Sequence, residues 1–271
     1  MKIQFNPFES SMLYSIPERT HSGSAWNEHV PFAMLLAELQ QPRVLVELGT
    51  QWGVSYCAWC QAIKALGLST RCYAVDTWVG DEHAGEYGDE VFKDLKIYQK
   101  KYESFSSMLR MTFDEALLKI PDRSVDLLHI DGLHTYEAVK HDYSTWLPKM
   151  SECGVVLFHD TNVFERGFGV HLLWAELAAK YPSFNFEHGY GLGVLAVGKY
   201  VPQPVLGFLE SANASPKGVR GFFEALGRRI QAEVELEKTI KKLKEQSESR
   251  EYKLGVKVFS ALRKAKKLTK N

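Results

Sequence analysis

The stretch from Asp126 to Thr161 constrains the fold more than any other part of the chain. It reads Asp-Leu-Leu-His-Ile-Asp-Gly-Leu-His-Thr-Tyr, then a polar segment, then Gly-Val-Val-Leu-Phe-His-Asp-Thr. Two short apolar runs, Val125–Ile130 and Val155–Phe158, have strand length, and each leads into an acid. Such runs suit strands buried on both faces of a parallel sheet. Between them, Tyr136–Leu147 has helical length and stops at Pro148, which cannot continue a helix. The unit is strand–helix–strand, with Asp131 and Asp160 at the carboxyl ends of its strands, the edge at which open α/β sheets bind ligands. Two carboxylates and His134 converge there, where a divalent cation or a general base is useful. The plainer reading is that the acids cap helices and His134 is a polar rim residue.

The preceding chain supplies the other half of such a sheet. Val44–Leu48 is a short strand holding Glu47; Gly49-Thr-Gln-Trp-Gly53 follows, then a helical run, Val54–Leu66. The glycines allow a tight turn and a close backbone approach to a ligand. Arg71–Val75 is a second strand that ends in Asp76, placed to accept hydrogen bonds from ribose hydroxyls. Trp78 to Gly88, rich in glycine and acids, is expected as a loop beside the site. Helices are predicted over 31–40, 89–105, 113–119 and 170–180, and strands over 107–111, 184–188 and 194–198. The last two strands, joined by Gly189-Tyr-Gly-Leu-Gly193, form a hairpin that adds an antiparallel strand. The fold class is α/β: a Rossmann-like, doubly wound, seven-stranded, mostly parallel sheet.

This assigns residues 1–200 to the α/β domain, 201–221 to a linker opened by Pro202 and Pro204, and 222–271 to a helical, basic amphipathic extension. Leu236, Ile240 and Leu243 hint at a coiled-coil seam over too few heptads to establish one. The formal net charge is zero, yet residues 222–271 hold 14 Lys/Arg against 7 Asp/Glu. Such asymmetry points to an anionic partner. At about 100° per residue, Leu254, Val258, Ala261, Leu262, Ala265 and Leu268 share one arc of roughly 120°. Lys253, Lys257, Arg263, Lys264, Lys266, Lys267 and Lys270 lie outside it. An interfacial helix on an anionic membrane has this form; packing on the main domain, or on a second subunit in a homo-oligomer, is the alternative. Tyr252 and Phe259 make no stacking array, so nucleic acid is not an expected partner.

No apolar run reaches membrane-spanning length, and Met-Lys-Ile-Gln-Phe-Asn lacks the apolar core of a signal peptide. Four cysteines in 271 residues do not make a disulfide framework. Cys57 and Cys60 fall within an apolar helix and read as core packing. The expected location is cytoplasmic, with the tail peripheral to the inner face of the membrane.

Taken together, these residues resemble the class I S-adenosylmethionine-dependent methyltransferases over roughly residues 25–198. Glu47-Leu-Gly-Thr-Gln-Trp-Gly53 is similar to the motif that holds the methionine end of the cofactor. The resemblance implies cofactor contacts from Glu47, Gly49, Gly53, Ser55, Asp76, Thr77 and Trp78. It also implies one from Asp114, within the Met111–Glu115 stretch where the family meets adenine. Ile130–Tyr136 with Phe158–Thr161 is similar to the metal-dependent sugar O-methyltransferases of the macrocin type, and more distantly to catechol O-methyltransferase. That implies methyl transfer to a sugar hydroxyl in polysaccharide or glycoconjugate biosynthesis. It also implies a divalent metal such as Mg²⁺ on Asp131 and Asp160, and His134 as base.

Two departures stand out. Thr161 replaces a ligand of the catechol-type enzymes, leaving the third donor to water, His134 or His159, and Gln51 replaces the middle glycine of the turn. A nicotinamide-dependent dehydrogenase would prefer Gly-x-Gly-x-x-Gly. A non-catalytic binding module docking through its tail would not need Asp131, His134 and Asp160 together. A small phenol or amine is an alternative acceptor.

Overall fold

The computed structural model describes residues 6–248 and 250–268, without the side chains of 250–252, 262 and 264–268. It divides into two units, residues 1–230 and 231–271. The first is built on one seven-stranded sheet. Its strands are β1 (Val44–Leu48), β2 (Arg71–Asp76), β3 (Ser106–Arg110), β4 (Val125–Ile130), β5 (Met150–His159), β6 (Ser183–Phe186) and β7 (Leu192–Ala196). Their spatial order is β3-β2-β1-β4-β5-β7-β6. All neighbours pair in parallel except β7, which runs antiparallel to both β5 and β6.

The helices of this unit are α1 (Val30–Gln40), α2 (Val54–Ala65), α3 (Asp89–Gln99), α4 (Phe113–Leu117), α5 (Tyr136–Trp146), α6 (Val170–Ala178) and α7 (Gln203–Ala214). A long helix, α8 (Pro216–Glu248), begins here and continues into the second unit, which also holds α9 (Arg250–Leu268). Val46, Leu48, Leu128, Ile130, Val156 and Phe158 pack on one face against Val139, Tyr143, Trp146, Leu173 and Trp174 of α5 and α6. Leu45, Leu127, Val155 and Leu157, alternating with them, face the other side and are equally buried. Burial on both faces is why these strands read as continuous apolar runs.

Residues 201–221, expected as a linker, are helical instead. Val205, Phe208, Leu209 and Ala212 recur at helical spacing along α7, and all are buried. The prolines that suggested a break stand where helices begin: Pro202 caps α7, Pro204 lies in its first turn and Pro216 opens α8. In α8, Phe223 and Ile230 are buried, and Gly227 lies so close to the Glu28 carbonyl that a Cβ would stand 2.2 Å from it. The first unit therefore runs to Ile230 and not to residue 200.

Candidate functional site

The order β3-β2-β1-β4 reverses the direction of winding between β1 and β4, and the crevice at the carboxyl ends of these strands is the binding place of such sheets. A cleft of about 490 Å³ opens there. At its floor the loop after β1 is clamped by backbone bonds, Gly49 N–H to Val75 O (2.9 Å) and Asp131 N–H to Leu48 O (2.8 Å). Gly49 has φ +87°, and a Cβ there would lie 2.0 Å from the Asp131 carbonyl oxygen, so no other residue fits. Gln51, which stands where the resembled motif has glycine, takes the left-handed φ of +45° nonetheless.

Asp76, at the end of β2, organises this loop. Its Oδ2 accepts the amides of Thr50 (2.8 Å) and Gln51 (2.9 Å), and its Oδ1 accepts the amide of Trp78 (2.7 Å). A carboxylate offers about four lone-pair directions, so most of its capacity goes to holding the loop, with about one direction left for a ligand. Gly53, Ser55 and Thr77 line the cleft beside it.

Three expected cofactor contacts lie away from the cleft lining. Glu47 is fully buried on the α1–α2 side of the sheet, its Oε2 bonded to His129 Nδ1 at 2.9 Å, and burial raises its carboxyl above the ordinary value. Trp78 is buried, with its indole N–H donated to the Gln51 carbonyl (3.0 Å). Asp114 is exposed and paired with His141 at 2.9 Å, while its neighbours Thr112 and Phe113 line the cleft. Cys57 and Cys60 are buried in α2, where burial pushes both thiols upward, as inert core residues require.

The far end of the cleft holds the titratable cluster. Asp131 follows β4, and Asp160 follows β5 with φ +60°, a left-handed conformation that Asp tolerates better than most residues. His134 Nε2 lies 2.9 Å from Asp160 Oδ2 and 3.5 Å from Asp131 Oδ1. His159 Nδ1 lies between the same acids, 3.1 Å from Asp160 Oδ2 and 3.3 Å from Asp131 Oδ1. Its Nε2 donates to the Gly189 carbonyl at 3.0 Å. Burial opposes charge on all four groups, yet their mutual attraction prevails. Asp131 is held well below the usual carboxylate range and Asp160 down to about 2, while His134 is pushed up to about 9 and His159 is also raised.

Asp131 Oδ1, His134 Nε2 and Asp160 Oδ2 together form a donor set that fits a divalent cation. His159 is outside that set of three: its Nδ1 faces the same two carboxylates while its Nε2 donates to the Gly189 carbonyl. Thr161 turns away and donates to Asn185 Oδ1 at 2.6 Å.

Several side chains here carried no signal of their own in the sequence. Trp26 arrives from a segment 105 residues distant and donates its indole N–H to Asp131 Oδ2 at 2.9 Å. It also stacks on His159, with ring centroids 5.4 Å apart. Phe168 lies parallel to His134 at 4.6 Å and stacks on His83 at 4.4 Å. Arg166 donates to the His83 carbonyl at 3.0 Å, tying the loop after Asp160 to the one after β2. That second loop lies beside the cleft as expected, through Thr77, Asp81, His83 and Tyr87.

Residues 46–161 match the family described as a methyltransferase domain. A 180-residue stretch is 54% identical to the uncharacterized protein y4gI of Sinorhizobium fredii, using 66% of this chain and 20% of that protein. The chain thus spans about a fifth of the length of the curated relative it matches. Among solved structures, a Staphylococcus aureus protein provisionally described as a caffeoyl-CoA O-methyltransferase is 13% identical, with a TM-score of 0.50 over 68% of this chain and 86% of that one. The O-methyltransferase TomG of Streptomyces achromogenes, solved with its methyl donor, is 14% identical, with a TM-score of 0.47 over 68% and 92%. At 13% identity the likeness to the Staphylococcus aureus protein is one of fold alone. Residues 46–161 are thus similar to a methyltransferase domain, and the sheet that carries them has the Rossmann-like methyltransferase fold.

Proposed function

We propose that the chain is an S-adenosylmethionine-dependent O-methyltransferase acting on a sugar hydroxyl. The observation that carries this is the single cleft joining the Asp76-clamped glycine loop to the Asp131–His134–Asp160 cluster. Methyl transfer to oxygen is an in-line displacement at a sulfonium carbon, so donor and acceptor must be aligned and the hydroxyl proton removed. Gly49, Gly53, Ser55, Asp76 and Thr77 hold the cofactor at one end, and the acceptor oxygen sits at the other. Asp131 and Asp160 hold a divalent cation, Mg²⁺ by the hardness of its oxygen donors, which would bind acceptor oxygens and favour the alkoxide.

His134 is the base in this reading. Asp160 orients its ring through Nε2, while Nδ1 is buried without a hydrogen-bond partner. With the carboxylate charge that keeps the imidazole protonated offset by a cation between Asp131 and Asp160, Nδ1 would be free to take the hydroxyl proton while Nε2 keeps its own. The rings of Trp52, Phe168 and Tyr190 along the cleft suit the apolar face of a sugar.

Calorimetry decides the two halves separately. S-adenosylhomocysteine should bind the intact chain and should lose affinity in Asp76→Ala; failure to bind at all rejects the methyltransferase reading. Mg²⁺ or Mn²⁺ should bind, and should be lost in Asp131→Asn and in Asp160→Asn. Equal metal affinity in those variants means the acids are structural.

A further inference from the structure

The second unit places most of its described large apolar side chains outward, Val234 being buried. Leu236, Ile240 and Leu243 of α8, with Leu254, Val256, Val258 and Phe259 of α9, are all exposed by 42–74%. Exposed apolar residues at this density mark a contact surface. In α9 they are set among cations: Lys253, Lys257 and Arg263 are exposed, and Glu251 is the last acid in the chain. On the helix Arg250–Leu268, Leu254, Val258 and Ala261 share one stripe, which the sequence continues through Leu262, Ala265 and Leu268. Val256 and Phe259 lie off that stripe, toward the cationic side.

A protein groove would cover the stripe and leave the cations without function, and a coiled-coil partner would need acids opposite them. A surface that takes apolar side chains and many positive charges at once is an anionic lipid leaflet. No helix of the described residues is long and apolar enough to cross a membrane, so the contact is interfacial.

We propose that α9 docks the chain on anionic phospholipid, its Leu254–Val258 stripe among the acyl chains and its lysines among the headgroups. This does not depend on the reading of the cleft. The test is co-sedimentation of the full chain with phosphatidylcholine vesicles, with and without phosphatidylglycerol. The chain should pellet with the anionic vesicles at low salt, stay in solution with the neutral ones, and be released as salt screens the headgroups. Reversing three charges in Lys253→Glu/Lys257→Glu/Arg263→Glu should lower partitioning by more than roughly a hundredfold, at about fivefold for each cation lost. Leu254→Ser/Val258→Ser should also weaken it, and circular dichroism should show both variants folded. Retention in the supernatant, equal binding to both vesicle types, or wild-type binding by the charge-reversed variant overturns the proposal. If the chain instead stays in solution as a dimer that Leu254→Ser/Val258→Ser dissolves, the stripe is a protein contact and the lipid assignment is wrong.

Discussion

Asp76 shows how one side chain can serve a ligand by serving a loop. Three backbone amides converge on its carboxylate, so Asp76→Ala should release the turn at residues 49–53 as well as remove a ligand contact. Each hydrogen bond to a charged acceptor is worth roughly 1.5–3 kcal/mol, so S-adenosylhomocysteine affinity should fall at least tenfold by calorimetry. Asp76→Asn should also be costly, because its NH2 must face either the Thr50 and Gln51 amides or the Trp78 amide and repels whichever it meets. Unchanged affinity in both variants would remove Asp76 from the cofactor site. His134 has two possible uses that one variant separates. If it is the base, His134→Ala should lower turnover by roughly 10²–10⁴-fold while metal affinity stays close to wild type. If Nε2 is a ligand, calorimetry should show the metal lost as well.

Among the elements, the loop after β1 and the opposite edge of the sheet invite the sharpest tests. Gly49→Ala would push a Cβ into the Asp131 carbonyl at a φ that L-residues avoid, which should cost more than about 1 kcal/mol in urea unfolding and displace the Asp131 backbone. At the amino edge, Asp126 ties β1, β4 and β5 together. It accepts the Arg43 amide (2.7 Å), the Arg43 guanidinium (3.0 Å) and the Ser151 hydroxyl (2.5 Å). Burial would raise its carboxyl, but these partners outweigh it and hold the group below the ordinary value. A depressed folded value means the stabilisation is complete above the unfolded carboxyl's pKa, about 3.9, and is lost as pH falls through the lower folded one. Unfolding free energies should therefore drop in acid for wild type and change less for Asp126→Asn. At neutral pH that variant should be weaker by about 1.5–3 kcal/mol, mostly from buried bonds, since the Arg43 side chain is 72% exposed. A parallel acid decline in both proteins would assign the effect to other groups.

For the molecule as a whole, the boundary near Ile230 replaces the one expected near residue 200. A chain ending after Ile230 should keep its fold and its S-adenosylhomocysteine affinity. One ending at residue 200 loses Val205, Phe208, Phe223 and Ile230 from the interior, each worth about 1.5–3 kcal/mol when buried, and should not fold. Thermal unfolding of the two truncations checks this, and a cooperative transition in the shorter one would restore the linker reading.

The strands, their acids and the glycine turn were legible because their signals are local. Burial on both faces writes an unbroken apolar run, and the carboxyl-edge rule then places Asp76, Asp131 and Asp160 without coordinates. Glu47, Trp78 and Asp114 fall outside the cleft lining, because motif position names a residue but not the direction of its side chain. Alternation along β1 turns Glu47 to the α1–α2 face, where His129 in β4 meets it. The helix over 203–214 was hidden by its prolines and small residues, since only contact with the sheet layer makes Phe208 and Leu209 interior. Trp26, His83, Arg166 and Phe168 reach the cluster from segments far apart in the chain, and no spacing rule links them. Local composition fixes which elements form and where the carboxylates emerge; which groups then touch is a property of packing between distant segments, where each contact depends on all the others being in place.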